Sequence, residues 1–352
     1  MPNPDPTPHP AVAPLPAAGR APAVMAAEAA VAWLERHQIG LYLAAIAAGG
    51  VIGVVVSGTA HLETAINPVL GLLLYATFLG VPFASIGAAL RDGRFLLAVL
   101  VVNFVLMPAV AFALSRVVAG EPALLFGVLL VLLTPCIDYV IVFSGLAGGA
   151  SHKLLAAAPL LMVAQVLLLP VYLLLFIGRE GVAVVDVGPF AEAFLVLIVI
   201  PLAAAAGTQA LAARHPIGQR LQTGVLGAMV PLMMATLFVV VASQAAAVSS
   251  QADQLVLLLP LYAAFLVIAT ALGWAAGRAF ALDVPSRRAL VFSGATRNSL
   301  VVLPLALALP PALSLAPVTV VTQTLIELIG MVVLVRLIPL LIPEPEDVRE
   351  TI

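Results

Sequence analysis

A short apolar stretch, LLTPCIDYVIV at Leu132–Val142, places a cysteine and an aspartate two residues apart, directly after a proline. In an intact α-helix, side chains two positions apart point about 200° away from each other. Pro135 lacks a backbone N–H donor and loosens the helix before it, so an unwound turn could aim Cys136 and Asp138 into one cavity. Two interpretations of the cysteine stay open, because a free thiol is either a small packing group or a soft ligand for a soft substrate.

A second apolar run is interrupted farther along the chain, at GATRNS (Gly294–Ser299), and a proline follows it. Gly294 and Pro304 indicate helix breaks in this segment. Arg297 lies deep in the run, where a charge is costly and is usually paired or functional. Asp138 has the opposite sign, so the two residues either form a structural lock between crossing helices or belong to a binding site or gate.

A third deep ionisable residue, Glu327, occurs in the apolar run TQTLIELIGMVV. The sequence shows no obvious partner for it. A deep carboxylate that takes up and releases a proton suits proton coupling, whereas a permanently protonated glutamate would only hydrogen-bond a neighbour. Thr134 and Asn298, beside the two interruptions, are candidate hydrogen-bond partners for a bound solute.

The composition indicates which elements position these residues. Apolar residues make up 63% of the chain and charged residues 9%, against about 45–50% and about 25% in soluble domains. The apolar residues form blocks of about 20, long enough for helices that cross a membrane. The predicted fold class is therefore an all-α polytopic membrane protein. Its ten predicted transmembrane helices are Ile39–Val56, Ile66–Leu90, Phe95–Val118, Ala123–Gly149, Leu154–Ile177, Pro189–Ala213, Leu221–Val248, Leu255–Gly277, Ala289–Leu313 and Ala316–Ile338.

Lysine and arginine predict the orientation. With the N-terminus in the cytoplasm, the tails and the even-numbered gaps carry twelve of these residues, and the opposite side carries Arg116 and Arg179. Basic residues accumulate on the cytoplasmic side of membrane proteins. We therefore expect a multi-pass protein of the plasma (inner) membrane with both termini in the cytoplasm.

Ten spans divide into two repeats of five, and a tandem copy of an odd number of spans is inserted upside down. The predicted domains are a disordered Pro/Ala-rich tail with an interfacial helix over residues 1–38, a first repeat over 39–177, a second, inverted repeat over 178–342, and a cytoplasmic tail over 343–352. The break after Leu133 falls in span four, and the GATRNS break falls in span nine, its counterpart. Paired interruptions of this kind point to a binding site at the middle of the membrane.

The sequence favours no other functional class. A single cysteine excludes an internal disulfide and a cysteine-based metal cluster, and no HExxH or nucleotide-binding fingerprint occurs. The net charge of −2 suggests no nucleic-acid partner. We therefore expect no enzyme activity, no cofactor and no resident metal, and we expect the partners to be the lipid bilayer, protons and a small solute.

Three stretches resemble one family of transporters. Thr134-Pro135-Cys136 resembles the TPC run of the arsenical-resistance (arsenite efflux) permeases, which belong to the bile acid/sodium symporter superfamily. Leu325-Ile326-Glu327 resembles the (L/I)-E run of their span ten. GATRNSLVVLPLALALP, from Gly294 to Pro310, resembles their AxNNxELAIA stretch in span nine and the RN or QN runs of the wider superfamily.

This resemblance covers roughly residues 39–340. It implies ten spans as two inverted five-helix repeats, with discontinuous, crossing helices four and nine and with a core domain and a panel domain. It also implies export of trivalent arsenic or antimony hydroxide, driven by the proton gradient. The metalloid-binding cysteine of the family corresponds to Cys136, and its essential glutamate corresponds to Glu327.

The chain departs from the arsenite exporters at Asp138, at Arg297, and at Leu300, which stands where they have a glutamate. In the sodium-coupled branch, span nine carries a glutamate and a glutamine as sodium ligands, at the places of Ser293 and Arg297 here. An arginine would repel sodium. We therefore predict a secondary transporter that exports arsenite by proton antiport, with Cys136 as a thiol ligand at the membrane midplane. The alternative is a sodium- or proton-coupled transporter of organic, bile-acid-like anions, with Arg297 as the anion contact.

Overall fold

The computed structural model describes residues 22–56, 58–81, 90–137, 139–183, 192, 195–250 and 256–344. Within these ranges nearly every residue is helical, and the extended backbone is limited to short connections and one isolated bridge. The helices are α1 Pro22–Val55, α2 Glu63–Gly80, α3 Gly93–Val118, α4 Pro122–Leu132, α5 Tyr139–Leu146, α6 Ser151–Ala183, α7 Leu195–Ala212, α8 Pro216–Gly227, α9 Met229–Ser250, α10 Leu258–Ala279, α11 Val284–Ala295, α12 Ser299–Leu307 and α13 Leu315–Leu341.

In the described part of the chain, five helical stretches are long and apolar enough to cross a membrane, namely α3, α6 as far as the kink at Gly178, α7, α10 and α13. Two bent pairs raise that number to seven: α1 bends by 69° between its 29–38 and 40–55 segments, and α8 bends by 45° against α9. The predicted class, an all-α polytopic membrane protein, is confirmed. The remaining predicted spans lie on the shorter α2 and on the interrupted pairs α4/α5 and α11/α12. These remaining elements are short or interrupted, so the number ten stays a prediction.

The helices pack as two groups. Helices α1, α2, α7, α8 and α9 pack against one another, and we call them the panel group. Helices α3–α6 and α10–α13 form the second set, which we call the core group. Between the groups, α9 contacts α13 and α2 contacts α12. The interface between two helix groups is where a transporter of this plan places its solute.

Close backbone contact between α1 and α9 holds the panel group together. A Cβ added at Gly53 would lie 2.4 Å from the carbonyl oxygen of Ala242, and one at Gly49 would lie 2.8 Å from that of Phe238. Small residues let membrane helices approach this closely. Any larger residue at Gly53 would push the two helices apart.

Two interrupted helix pairs meet at the centre of the core group. Helix α4 ends at Leu132 and α5 begins at Tyr139, while α11 ends at Ala295 and α12 begins at Ser299. The unwound backbones run antiparallel and pair as an isolated bridge between Pro135 and Arg297.

Two hydrogen bonds hold this bridge. The N–H of Cys136 donates to the carbonyl of Thr296 at 3.2 Å, and the N–H of Asn298 donates to the carbonyl of Thr134 at 2.8 Å. Unwound backbone groups inside a membrane require such internal partners. The prediction that the two interrupted spans cross is confirmed, and we call this meeting point the crossing.

The chain's single lysine, Lys153, ties together one end of the core group. Its Nζ lies 2.7 Å from Asp92 Oδ2 and 3.7 Å from Asp283 Oδ1, and it donates to Ser286 Oγ at 2.8 Å. These contacts join the starts of α3, α6 and α11. The hydrogen bond from Lys153 holds the pKa of the Asp92 carboxyl below its usual value.

Candidate functional site

Glu327 of α13 is buried beside the crossing and accepts hydrogen bonds at both carboxylate oxygens. Tyr139, the first residue of α5, donates its hydroxyl to Oε1 at 2.6 Å. The backbone N–H of Arg297 donates to Oε2 at 2.8 Å, and the side-chain amide of Gln323, one turn earlier on α13, donates to the same oxygen. The sequence showed no partner for Glu327, and the structure supplies three. They connect α13 to α5 and to the crossing.

The guanidinium of Arg297 points away from that carboxylate. Its Nη2 donates to Asn103 Oδ1 at 2.8 Å, to the carbonyl of Ser293 at 2.9 Å and to that of Gly294 at 2.7 Å. Its Nη1 donates to the carbonyl of Leu132 at 3.3 Å. Among the described residues the hydrogen-bond acceptors of the guanidinium are therefore neutral oxygens, which we call the oxygen cage. The predicted pairing with Asp138 concerns a residue outside the described ranges, and it stays a prediction.

Asn103, which the sequence analysis did not single out, completes the oxygen cage. It is fully buried and lies in the π-helical stretch Val102–Leu106 within α3. Its amide nitrogen donates to Ser293 Oγ at 2.8 Å and to the carbonyl of Val99 at 3.0 Å. Single π-helical turns inside α-helices often mark functional sites. In the sequence, Asn103 could have been recognised as the lone amide side chain in an otherwise apolar predicted span.

Cys136 and Thr134 lie on the unwound segment between α4 and α5. The side chain of Cys136 is free of a disulfide and completely buried. Thr134 donates its hydroxyl to the carbonyl of Leu130 at 2.8 Å, which leaves its oxygen as an acceptor. Both predicted ligand residues therefore lie at the crossing, although the thiol is shielded in this conformation.

Several buried polar groups around the crossing have no hydrogen-bond partner among the described residues. Arg297 Nε is one of them, and three others are Asn298 Nδ2, Ser299 Oγ and Gln323 Oε1. The other amide atom of Asn298, Oδ1, accepts from the backbone of Val301 at 3.4 Å and caps α12. Buried polar atoms in proteins are nearly always paired, and each exception calls for an explanation. These three atoms provide one donor and two further polar oxygens for a hydroxylated solute.

A cavity of about 300 Å³ lies between the panel group and α5. Its polar lining consists of Glu35, Gln38 and Tyr42 from α1 and Tyr139 from α5. The remainder is apolar and comes largely from the start of α9. Because Tyr139 also donates to Glu327, its side chain connects the lining of this cavity with the buried carboxylate.

A second space between the same two groups is much smaller, about 10 Å³. It is lined by Ser299 and Leu303 of α12, Ile46 of α1 and Leu237 of α9. The two groups therefore pack more tightly there than around the larger cavity.

The helix breaks fall at slightly different places from those predicted. Pro135 lies in the unwound segment, as expected. Gly294 lies inside α11, and a Cβ there would come 2.9 Å from Val102 Cγ1, so it permits close packing against α3. Pro304 lies inside α12, which continues to Leu307. The prediction of a break at Pro304 is therefore wrong, because a proline removes only one backbone donor and α12 extends just three residues beyond it.

The fold and the site define a polytopic membrane protein built around two crossing interrupted helices, a plan typical of secondary transporters. Residues 67–252 match the model of the sodium bile acid symporter family, and the chain belongs to that family. The matched segment includes the first interruption, at Pro135, but ends before Arg297 and Glu327. A search of the curated proteins found no match. The family is one of transporters, which supports a transport function rather than catalysis.

Proposed function

We propose that the protein is a proton-coupled secondary transporter that exports a small uncharged solute, the hydroxide of trivalent arsenic or antimony, from the cytoplasm. The observation that carries this proposal is the position of Glu327. Its carboxylate is buried at the crossing and hydrogen-bonds the hydroxyl of Tyr139, which also lines the cavity. Deep carboxylates of this kind are typical of proton relays in transporters.

Proton coupling is favoured over sodium coupling by Arg297. Hard cations bind clusters of oxygen ligands. Here the guanidinium already binds the carbonyls of Ser293 and Gly294 and the amide oxygen of Asn103. A sodium ion would need these oxygens and would be repelled by the arginine, so the protein carries its own fixed cation at this place. That leaves Glu327 to take up and release the coupling ion.

The cavity favours a small neutral solute over an organic anion. Its volume of about 300 Å³ is at the lower end of the range for small-molecule sites, about 300–1,000 Å³. Glu35 is the charged residue of its lining, and it would repel an anion. Gln38 and Tyr42 offer hydrogen bonds to hydroxyl groups, as do the unpartnered atoms of Asn298 and Ser299 deeper in the protein.

Cys136 provides the selectivity for a metalloid. In the proposed step one arsenic-bound hydroxyl leaves as water with the thiol hydrogen, and an As–S bond replaces an As–O bond, so no oxidant or reductant is needed. Hydrolysis reverses the step and releases the solute. Because the thiol is buried, the two helix groups must shift before the bond forms. The open cavity on the N-terminal side would then belong to the inward-facing state, given the cytoplasmic placement that the basic residues predict.

Transport by purified protein in liposomes tests the substrate. We expect uptake of arsenite or antimonite by the wild type and none by Cys136→Ser. Ser144→Ala is the matched control, since Ser144 is also fully buried, on α5, and it should transport normally. Equal transport by Cys136→Ser and the wild type would refute the thiol's role.

A second candidate, transport of an organic anion with Arg297 as its contact, is favoured by the family's description as sodium bile acid symporters. In this conformation the Arg297 guanidinium is covered by the oxygen cage, so an anion would first have to displace those contacts. The same liposomes, given a bile acid with and without sodium, distinguish the two. Sodium-dependent bile acid uptake that survives Cys136→Ser would favour the second candidate.

A further inference from the structure

We propose that Tyr139 couples the protonation of Glu327 to the cavity, by changing the acceptor of its single hydroxyl hydrogen. This inference rests on the proposed proton coupling, and it adds to it a positioning residue and a route. We refer to this rearrangement as the hydroxyl switch.

The geometry offers Tyr139 two acceptors at once. Its hydroxyl oxygen lies 2.6 Å from Glu327 Oε1 and 2.8 Å from the carbonyl oxygen of Arg297. A tyrosine hydroxyl has one hydrogen to donate. It can therefore serve only one of these two acceptors at a time.

The other contacts of Glu327 decide which carboxylate oxygen takes the proton. Oε2 already accepts from the backbone N–H of Arg297 and from the amide of Gln323. A proton placed there would face two donors. Among the described residues Oε1 accepts from Tyr139, and a hydroxyl can reverse its role, so Oε1 is the oxygen that takes the proton.

Two states of the switch follow. When Glu327 is ionised, the hydrogen of Tyr139 points to Oε1, because hydrogen bonds to a charged acceptor are the stronger ones. When Glu327 is protonated, Oε1 becomes the donor to Tyr139, and the tyrosine hydrogen turns to the carbonyl of Arg297. Protonation at α13 is thereby transmitted to the crossing through one atom of α5.

The position of the tyrosine gives this switch a transport role. Tyr139 lies directly after the interruption and lines the cavity together with Gln38 and Tyr42, and its ring packs edge-on against Phe143 at 6.2 Å. The Tyr139 hydroxyl therefore offers a route for a proton between the cavity and Glu327. The cavity wall and the proton route therefore share one side chain.

The other charged and titratable groups near Glu327 are directed elsewhere, so the proposed proton transfer is assigned to Tyr139. The Arg297 guanidinium points into the oxygen cage, and Cys136 lies on the paired backbone of the crossing. Glu35 lies across the cavity on α1. Asp138 lies outside the described residues. Among the described residues, Tyr139 is the titratable side chain that hydrogen-bonds Glu327.

Tyr139→Phe tests the switch, because it keeps the ring and removes only the hydroxyl. In liposomes we measure arsenite exchange at equal pH and accumulation driven by a pH gradient, and their ratio separates coupling from solute binding. We expect this ratio of accumulation to exchange to fall about tenfold relative to the wild type, the factor expected for one lost charge-assisted hydrogen bond. The matched control is Tyr262→Phe, since Tyr262 is a buried tyrosine that donates to the carbonyl of Thr319. It should behave as the wild type.

A measurement that needs no solute accompanies this. The infrared carbonyl stretch of protonated Glu327, assigned by its loss in Glu327→Gln, should shift in Tyr139→Phe and stay in place in Tyr262→Phe. An unchanged stretch together with unchanged gradient-driven accumulation would overturn the switch. If Glu327→Gln itself leaves proton coupling intact, the proposed function fails instead, so the two failures are distinguishable.

Discussion

The backbone N–H of Arg297 donates to Glu327 Oε2 at 2.8 Å, while the guanidinium of the same residue points the other way, into a set of neutral oxygens. The two deep charges therefore share one site through the main chain rather than through a side-chain hydrogen bond. In the described part of the chain no cationic side chain hydrogen-bonds the carboxylate of Glu327.

Arg297→Gln should make the protein sensitive to sodium. The substitution removes the fixed cation and leaves the buried carbonyls of Ser293 and Gly294 without a donor, which costs about 3 kcal/mol or more. Sodium can then bind these oxygens. Because a ligand that binds only the folded state stabilises it, sodium should raise the stability of the variant. We expect a lower melting temperature in choline chloride that sodium chloride partly restores.

The control for this experiment is Arg288→Gln. Arg288 is also a buried arginine, and its guanidinium donates to the carbonyls of Ile342 and Ala147. It should lose stability without a sodium-specific recovery. Equal melting temperatures of Arg297→Gln in the two salts would contradict the idea that the arginine replaces a bound cation.

Asn103→Leu should destabilise the core group. The change removes an acceptor of the Arg297 guanidinium and a donor to Ser293 Oγ, and each unsatisfied buried group costs about 1–3 kcal/mol. Asn103→Asp keeps an acceptor for the Arg297 guanidinium, so this variant should lose less stability than Asn103→Leu. Thermal unfolding in detergent measures both. A leucine variant as stable as the wild type would show that this amide is dispensable.

The contact between Asp92 and Lys153 should make the stability of the folded protein depend on pH in the acidic range. Because the pKa of Asp92 is lowered in the folded protein, its contribution is present above the ordinary aspartate value, about 4. It is lost as the pH falls through the lowered folded pKa. Asp92→Asn keeps an oxygen for the N–H of Phe95, so it tests the charge alone.

We expect Asp92→Asn to melt slightly below the wild type at pH 7 and to match it in acid. The difference should be under about 1 kcal/mol, since Asp92 is partly exposed and exposed pairs contribute little. Asp283→Asn is the control, because Asp283 lies farther from Lys153, at 3.7 Å, and is more exposed. A difference between Asp92→Asn and the wild type that persists at low pH would contradict the assignment.

Cys136, as the chain's single cysteine, gives a direct probe of the proposed metalloid site. It is fully buried, so a small maleimide should label it slowly in liposomes. Arsenite should protect it by occupying the thiol, whereas a bile acid should not. Cys136→Ala provides the blank. Labelling that is indifferent to arsenite at concentrations that saturate transport would exclude the thiol as a ligand.

The interruptions could be predicted from the sequence because they depend on local chemistry. Pro135 cannot continue a helix hydrogen-bond ladder, and GATRNS places polar groups where an apolar helix would otherwise run. Their crossing follows, since two unwound segments at membrane depth have to satisfy each other's backbone groups. The wrong prediction at Pro304 also came from local proline chemistry. A proline close to the end of a helix is tolerated, so α12 continues past Pro304 to Leu307.

The hydrogen-bond partners could not be predicted in this way. Tyr139 follows the interruption in the sequence, but the target of its hydroxyl depends on how α5 packs against α13. Asn103 meets Arg297 only because α3 and α11 pack against each other. Such contacts join residues far apart in the chain, and no local pattern encodes them.

The most direct test of proton coupling is arsenite accumulation in sodium-free liposomes under an imposed pH gradient, compared between the wild type and Glu327→Gln. Glu121→Gln, at the start of α4, is the control for loss of a carboxylate elsewhere. The wild type and the control should accumulate arsenite only while the gradient lasts, and Glu327→Gln should match empty liposomes. Gradient-driven accumulation by Glu327→Gln, or a wild type that requires sodium, would contradict proton coupling through this carboxylate.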